Sequence, residues 1–176
     1  VLVHSKPASV PIRPLIDQES AIGGRCGHLT NDELGVLIGK GEIGTVIVAL
    51  CDMQGRLVGK RSSARLFQED IAAHGAEACN YLLAVDVEMN TVDGYAIARW
   101  ERGYGDFDMV LDLDTLRRTP GEPNTATIQC DLGWLDGSGA VAQSPRSILK
   151  SQIAAAAEQG WVAYAGTELE FMVFEE

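Results

Sequence analysis

An α+β chain is what the sequence predicts: a small antiparallel sheet with helices packed on it, followed by the first, incomplete part of an α/β segment. Three observations carry that expectation. Apolar, β-branched runs separated by turn residues recur between about residues 45 and 115, a proline-started helix spans 145–159, and strand-like runs lie on both sides of that helix. The change from hairpins to strand, helix, strand order near Asn124 places a boundary at 120–125. The expected division is a flexible leader over 1–28, one domain over 29–122, and the start of a second over 123–176.

The leader holds Pro7, Pro11, Pro14 and three glycines and shows no periodicity. Thr30 followed by Glu33 has capping-box spacing, and Leu34, Leu37 and Ile38 then share a helical face, so a helix is expected over 31–39. Thr45 to Leu50, the turn residues Asp52 to Gly55, and Arg56 to Lys60 read as a hairpin. A short helix is expected over 66–75, a strand over 79–87 and a long loop over 90–105. Strands follow at 108–113 and 125–132, joined by a bend at Pro120 to Asn124. Ser144 and Pro145 supply an N-cap and a first-turn proline for the helix ending at Gly160, and strands are expected at 161–165 and 169–174.

Composition narrows the function classes. A hydrophobic share of 46% with 22% charged residues suffices for a packed core, and a net charge of -11 repels nucleic acid at long range. The short basic group Lys60, Arg61, Arg65 is expected to be solvated. Cys26, Cys51, Cys79 and Cys130 form no C-x-x-C pair and read as reduced thiols of a cytoplasmic protein. Residues 1–14 contain no apolar core of a signal peptide, and no run is long enough to span a membrane. His4, His28 and His74 lack metal-site spacing, and no nucleophile, histidine and acid set can be assembled.

The chemistry concentrates near the end of the chain. On a strand, Glu168 and Glu170 point to one face and Leu169, Phe171 and Val173 to the other. Two adjacent carboxylates repel, and protonation, basic partners or divalent cations relieve that repulsion; oxygen ligands favour Mg2+ or Mn2+. A solvated Glu face on an edge strand is the other reading of the same pattern.

Several segments, in one order, resemble the glutamine synthetase family. Gly166-Thr167-Glu168-Leu169-Glu170-Phe171 resembles its G-x-E-x-E-F metal strand, Ser144-Pro145-Arg146-Ser147 its S/D-P-R-S helix start, Asp108-Met109-Val110 with Asp114 its D-M-V segment, and Asp52-x-x-Gly55 with Gly59-Lys60 the hairpin of its β-grasp domain. The resemblance implies a β-grasp-like amino-terminal domain followed by the start of the catalytic domain. It also implies an ATP-dependent ligase that joins the glutamate γ-carboxylate to ammonia or another amine through γ-glutamyl phosphate. Glu168 would hold the cation nearer the nucleotide phosphates and Glu170 the one nearer glutamate, and subunits would assemble into a homo-oligomer through the amino-terminal domain.

Val92-Asp93-Gly94-Tyr95-Ala96-Ile97 stands where the family carries F-D-G-S-S-I, with Trp100 matching a tryptophan seven residues beyond the Asp. Asp93 is the counterpart of the ammonium-binding aspartate, Asp86 its rival, and Asp93 also fits the first residue of a plain Asp-Gly turn. Tyr95 and Ala96 replace both family serines, which makes the chain look more like the branch that ligates glutamate to polyamines or ethanolamine. Asp108 either lines the site or starts a strand. The remaining cation ligands and the ATP-binding strands are expected beyond Glu176, so the 176-residue chain alone is expected to be inactive. A non-catalytic β-grasp interaction module is the alternative.

Overall fold

α1 (Asn31–Gly39) starts as the Thr30 and Glu33 spacing requires. The Glu33 amide donates to Thr30 Oγ1 at 3.2 Å, and the Thr30 amide donates to Glu33 Oε2 at 2.7 Å. Each bond removes an orphaned donor at the helix start. The computed structural model describes residues 28–97 and 105–174, so residues 1–27 of the expected leader, and Trp100, lie outside the described residues.

β1 (Thr45–Cys51) and β2 (Leu57–Ser63) form the expected hairpin, in register from Thr45 opposite Ser63 to Cys51 opposite Leu57. Its turn is organised by Asp52, whose buried Oδ1 accepts the amides of Gln54 and Arg56 at 3.0 and 2.8 Å. The helical stretch that follows comprises α2 (Ala64–Leu66), a π-turn at Phe67–Ile71 and α3 (Ala72–His74). Ser63 Oγ caps it by accepting the Leu66 amide, and Gly75, at φ 76°, ends it.

β3 (Ala76–Cys79), β4 (Asp106–Arg118) and β5 (Thr125–Trp134) complete a five-stranded sheet ordered β2-β1-β5-β4-β3. β1 and β5 run parallel, and the other neighbours are antiparallel. Strand pairing therefore crosses the boundary expected at 120–125: residues 125–134 lie in the middle of the sheet. The turn chemistry there is a β4–β5 hairpin bend, closed by the Thr119 amide donating to the Thr125 carbonyl at 2.9 Å. The strand expected over 79–87 is also corrected, because a 3-10 turn at Asn80–Leu83 breaks it after Cys79.

One face of the sheet is the core, where alternate residues of β5, Ala126, Ile128, Cys130 and Leu132, are buried beside Val46, Val48, Phe107 and Met109. Leu34 of α1 and Phe67 of the π-turn belong to the same buried cluster. Phe107 meets Trp134 edge to face at 5.4 Å. α4 (Pro145–Glu158) begins where the Ser144 carbonyl accepts the Ile148 amide at 2.9 Å.

The described residues fall into two units, one up to Ile148 and the other from Leu149. In the second, α4 continues to Glu158, and residues 161–174 follow in no regular element. The strands expected at 161–165 and 169–174 are thus not formed. A strand is defined by a hydrogen-bonded neighbour, and residues 161–174 belong to none of the paired strands. No described helix is long and apolar enough to cross a membrane.

Candidate functional site

Asp93 sits in an exposed turn just after a small self-closed loop. Val85 and Thr91 form an antiparallel bridge, and the Val92 amide donates to the Ala84 carbonyl at 2.8 Å. Inside the loop, Asp86 Oδ1 accepts the amides of Glu88 and Asn90, both at 2.9 Å, and Asp86 Oδ2 accepts the Asn90 side-chain amide at 3.1 Å. The Asn90 backbone donor, then its side-chain donor, holds the Asp86 carboxyl below the usual aspartate range. Both Asp86 oxygens are thereby committed to closing the loop, whereas Asp93 projects from it one peptide beyond the Val92 bond. Gly94 follows at φ 96°, so the Asp-Gly turn is real and the carboxylate stands on it.

Asp108 is half-buried in β4, opposite Gly133 of β5 and Glu77 of β3. Its side chain reaches toward Gly75, where a Cβ would stand 3.2 Å from Asp108 Oδ1. With His74, Gly75, Val110 and Leu113 it lines an open groove of about 280 Å³. β4 begins two residues earlier, at Asp106, so Asp108 lies inside the strand and not at its start.

Glu168 and Glu170 belong to the segment beyond α4, where both are exposed and share no strand face. Among the described residues no three His, Cys, Asp or Glu side chains gather as a metal cluster. As donors, the two carboxylates suit a hard cation such as Mg2+ or Mn2+, but they supply only part of a six-oxygen shell. Asp93 and Asp108 lie on separate elements of the unit that ends at Ile148, while the glutamates lie in the other.

A charge cluster that sequence reading overlooked is centred on Arg146. From the first turn of α4 its Nε donates to Asp131 Oδ1 at 3.0 Å, one Nη donates to Gln129 Oε1 at 3.0 Å, and the other pairs with Asp112. Asp112 stands opposite Gln129 in the β4–β5 register, so one guanidinium reads three side chains on one sheet face. Burial opposes its charge, yet the hydrogen bond and attraction of Asp131, with those of Asp112, hold Arg146 above its ordinary range. The S-P-R-S pattern marked the helix start; the signal for the pairing was the period-two spacing of Gln129 and Asp131. Two members of the exposed basic group are paired as well, Arg61 with Glu122 and Arg65 with Glu69.

Residues 142–176 match the family described as Glutamine synthetase, catalytic domain. The chain is 52% identical over 155 residues to gamma-glutamylethanolamide synthetase GlnA4 of Streptomyces coelicolor, a match covering 88% of this chain and 33% of the relative. It is 33% identical over 139 residues to glutamate–isopropylamine ligase of Pseudomonas sp, covering 79% of this chain and 30% of that one. The chain thus spans about a third of the length of the curated relatives it matches. Among solved structures, a GmaS/ADP complex aligns with a TM-score of 0.54 at 21% identity over 72% of this chain and 26% of that one. A novel glutamine synthase homolog aligns at 0.54 and 17%, over 66% and 27%. The structural likeness speaks for the fold alone; in sequence, the chain is similar over most of its length to these glutamate–amine ligases, and over residues 142–176 to the glutamine synthetase catalytic domain.

Proposed function

We propose that the protein carrying this chain is an ATP-dependent ligase that joins the γ-carboxylate of glutamate to an amine through γ-glutamyl phosphate. The observation that carries this reading is the 52% identity over 155 residues to an enzyme named for making γ-glutamylethanolamide. The Glu168 and Glu170 pair, two residues apart in a G-x-E-x-E-F pattern, supports it. In this reading Glu168 and Glu170 supply carboxylate oxygens to Mg2+ or Mn2+, whose positive charge offsets the negative charge that phosphoryl transfer gathers between ATP and glutamate. Asp93 binds the amine as its ammonium, and Asp108 lines the approach from β4. Tyr95 and Ala96 in place of two serines favour a substrate bulkier than ammonia.

The parallel, central pairing of β1 and β5 with helices against one face supports a β-grasp reading of the body up to about residue 141. The catalytic part then begins at about 142, where the family match starts. Assembly into a homo-oligomer through the β-grasp body, and residence in the cytoplasm, belong to the same proposal.

The test is an assay of the protein as its gene encodes it, with ATP, Mg2+ and glutamate, offering ammonia, ethanolamine, isopropylamine or putrescine. Phosphate release that requires both glutamate and one of these amines, with the matching γ-glutamyl amide as product, supports the reading. Absence of amide with every amine overturns it.

A further inference from the structure

The turn between β1 and β2 grips the loop that leads to Asp93. Three consecutive loop carbonyls are taken by two side chains of that turn: Gln54 Nε2 donates to Val85 O at 2.8 Å, and the Arg56 guanidinium donates to Asp86 O at 3.0 Å and to Val87 O. The same Nη2 lies 3.5 Å from Met89 Sδ. Met89 is the one described non-glycine residue with a positive φ, at 68°, a conformation that costs free energy unless its surroundings impose it. Arg56 is itself fixed, because its Nε donates at 2.7 Å to Oδ2 of Asp52, whose side chain has no exposed surface.

We infer that Asp52, Arg56 and Gln54 form a clasp that positions Asp93 for the amine, which makes Arg56 a positioning residue for amine selection. This rests on the ligase reading above. The hairpin belongs to the sheet, whereas beyond its buried base at Ala84 and Val85 the 84–92 loop is held, among the described bonds, by its own short-range ones and by those from Gln54 and Arg56. A carbonyl accepts weakly from an ordinary donor and more strongly from a cation, and a planar guanidinium can bridge two adjacent carbonyls while still pairing a carboxylate. A lysine ammonium cannot meet those directions together. Val92, whose amide closes the loop on Ala84, is joined by one peptide unit of about 3.8 Å to Asp93, so any opening of the loop moves the carboxylate directly. Groups around the reacting centre tolerate little displacement, and an amine has few handles besides its charge.

The experiment compares the wild-type protein, as encoded, with Arg56→Lys, Arg56→Gln and Asp52→Asn. Backbone hydrogen exchange is followed over 84–97 and in β1 and β5, and steady-state constants are measured for amine, glutamate and ATP. The expected result is exchange of the Asp86, Asn90 and Val92 amides faster by about tenfold or more, with β1 and β5 unchanged. The amine KM rises by about tenfold in both Arg56 variants, Lys giving no rescue, while the glutamate and ATP KM values stay within about twofold. Unchanged loop exchange overturns the clasp. Faster loop exchange with an unchanged amine KM, or with all three KM values raised together, overturns its role in amine selection. No amide from wild type with any amine overturns the ligase reading and the amine role with it, and the exchange data then decide the clasp by themselves.

Discussion

Arg146 on the first turn of α4 donates its Nε to the carboxylate of Asp131 on β5 at 3.0 Å, tying the helix start to the face of the sheet opposite the core. The side chains involved are partly screened from water, with Arg146 19% and Asp112 20% exposed. Removing the cation therefore leaves two carboxylates with little compensating hydration.

Arg146→Ala is expected to destabilise the protein by about 2–4 kcal/mol, since breaking a desolvated ion pair from one side costs more than the pair itself is worth. Urea unfolding followed by circular dichroism measures it. Arg146→Lys should recover part of the loss, because one ammonium cannot serve Asp131, Gln129 and Asp112 together. A change below about 0.5 kcal/mol for Arg146→Ala would show the cluster to be no more than a solvated surface group.

Gly59 is packed against its partner strand so closely that a Cβ would lie 2.1 Å from the Val48 carbonyl oxygen and 2.9 Å from Ala49 Cα. Both contacts are backbone atoms of β1, which cannot move aside without parting the hairpin. Gly59→Ala should cost about 1–3 kcal/mol or more, whereas the neighbouring exposed Lys60→Ala should lie within about 0.5 kcal/mol of wild type. Differential thermal melts of the pair decide it.

Burial pushes the Cys130 thiol up to about 12 from an ordinary value of 9.0, the nearby Arg146 charge opposing that shift only in part. A folded-state pKa above the unfolded one favours the protonated form. Its stabilisation is whole below pH 9 and is lost as pH rises toward 12, by at most about 1.4 kcal/mol per pH unit. Urea midpoints between pH 8 and 10.5 should fall less steeply in Cys130→Ala than in wild type, even though the variant starts lower for its cavity. Parallel slopes would mean that another group governs the alkaline loss.

If the ligase reading holds, Glu170→Ala in the protein as encoded should lower kcat by about 10³-fold or more while leaving the unfolding midpoint within error, since an exposed side chain contributes little to folding and the cation ligand proposed for Glu170 would contribute much to transition-state charge. Glu170→Gln should do nearly the same. Amide formation at wild-type rate in either variant would remove Glu170 from the cation site.

Where structure depends on neighbours in sequence, the residues announced it. The Thr30 and Glu33 box, the Asp52 turn and the Ser144-Pro145 helix start all satisfy backbone groups within four residues, and each stands as read. Where it depends on distant partners, the same kind of reading failed. Pro120 to Asn124 has the composition of a linker and of a hairpin bend alike, and only the pairing of Thr45 with Thr125 shows that the chain turns back into the same sheet. Residues 169–174 alternate as a strand should, yet alternation records which faces differ and not whether a neighbour is present. The candidate site divides along the same line. Asp93 was marked by its Asp-Gly turn, but that Asp86 serves the loop, and that Arg56 reaches it from 30 residues away, were invisible in one dimension.

The parallel seating of β5 against β1 also sets a timetable for the growing chain. About 80 residues separate Thr45 from Thr125, so at roughly 5–20 residues per second the ribosome delivers the fifth strand several seconds after the first. Throughout that interval the β1–β2 hairpin leaves one border of β1 unzipped, with Val46, Val48 and Leu50 bare beside it. Such a nascent ribbon can recruit a strand from another polypeptide before its own arrives. Yield in a cell should therefore depend on elongation speed and on chaperones that shield a waiting hairpin, more than on the final stability of the sheet.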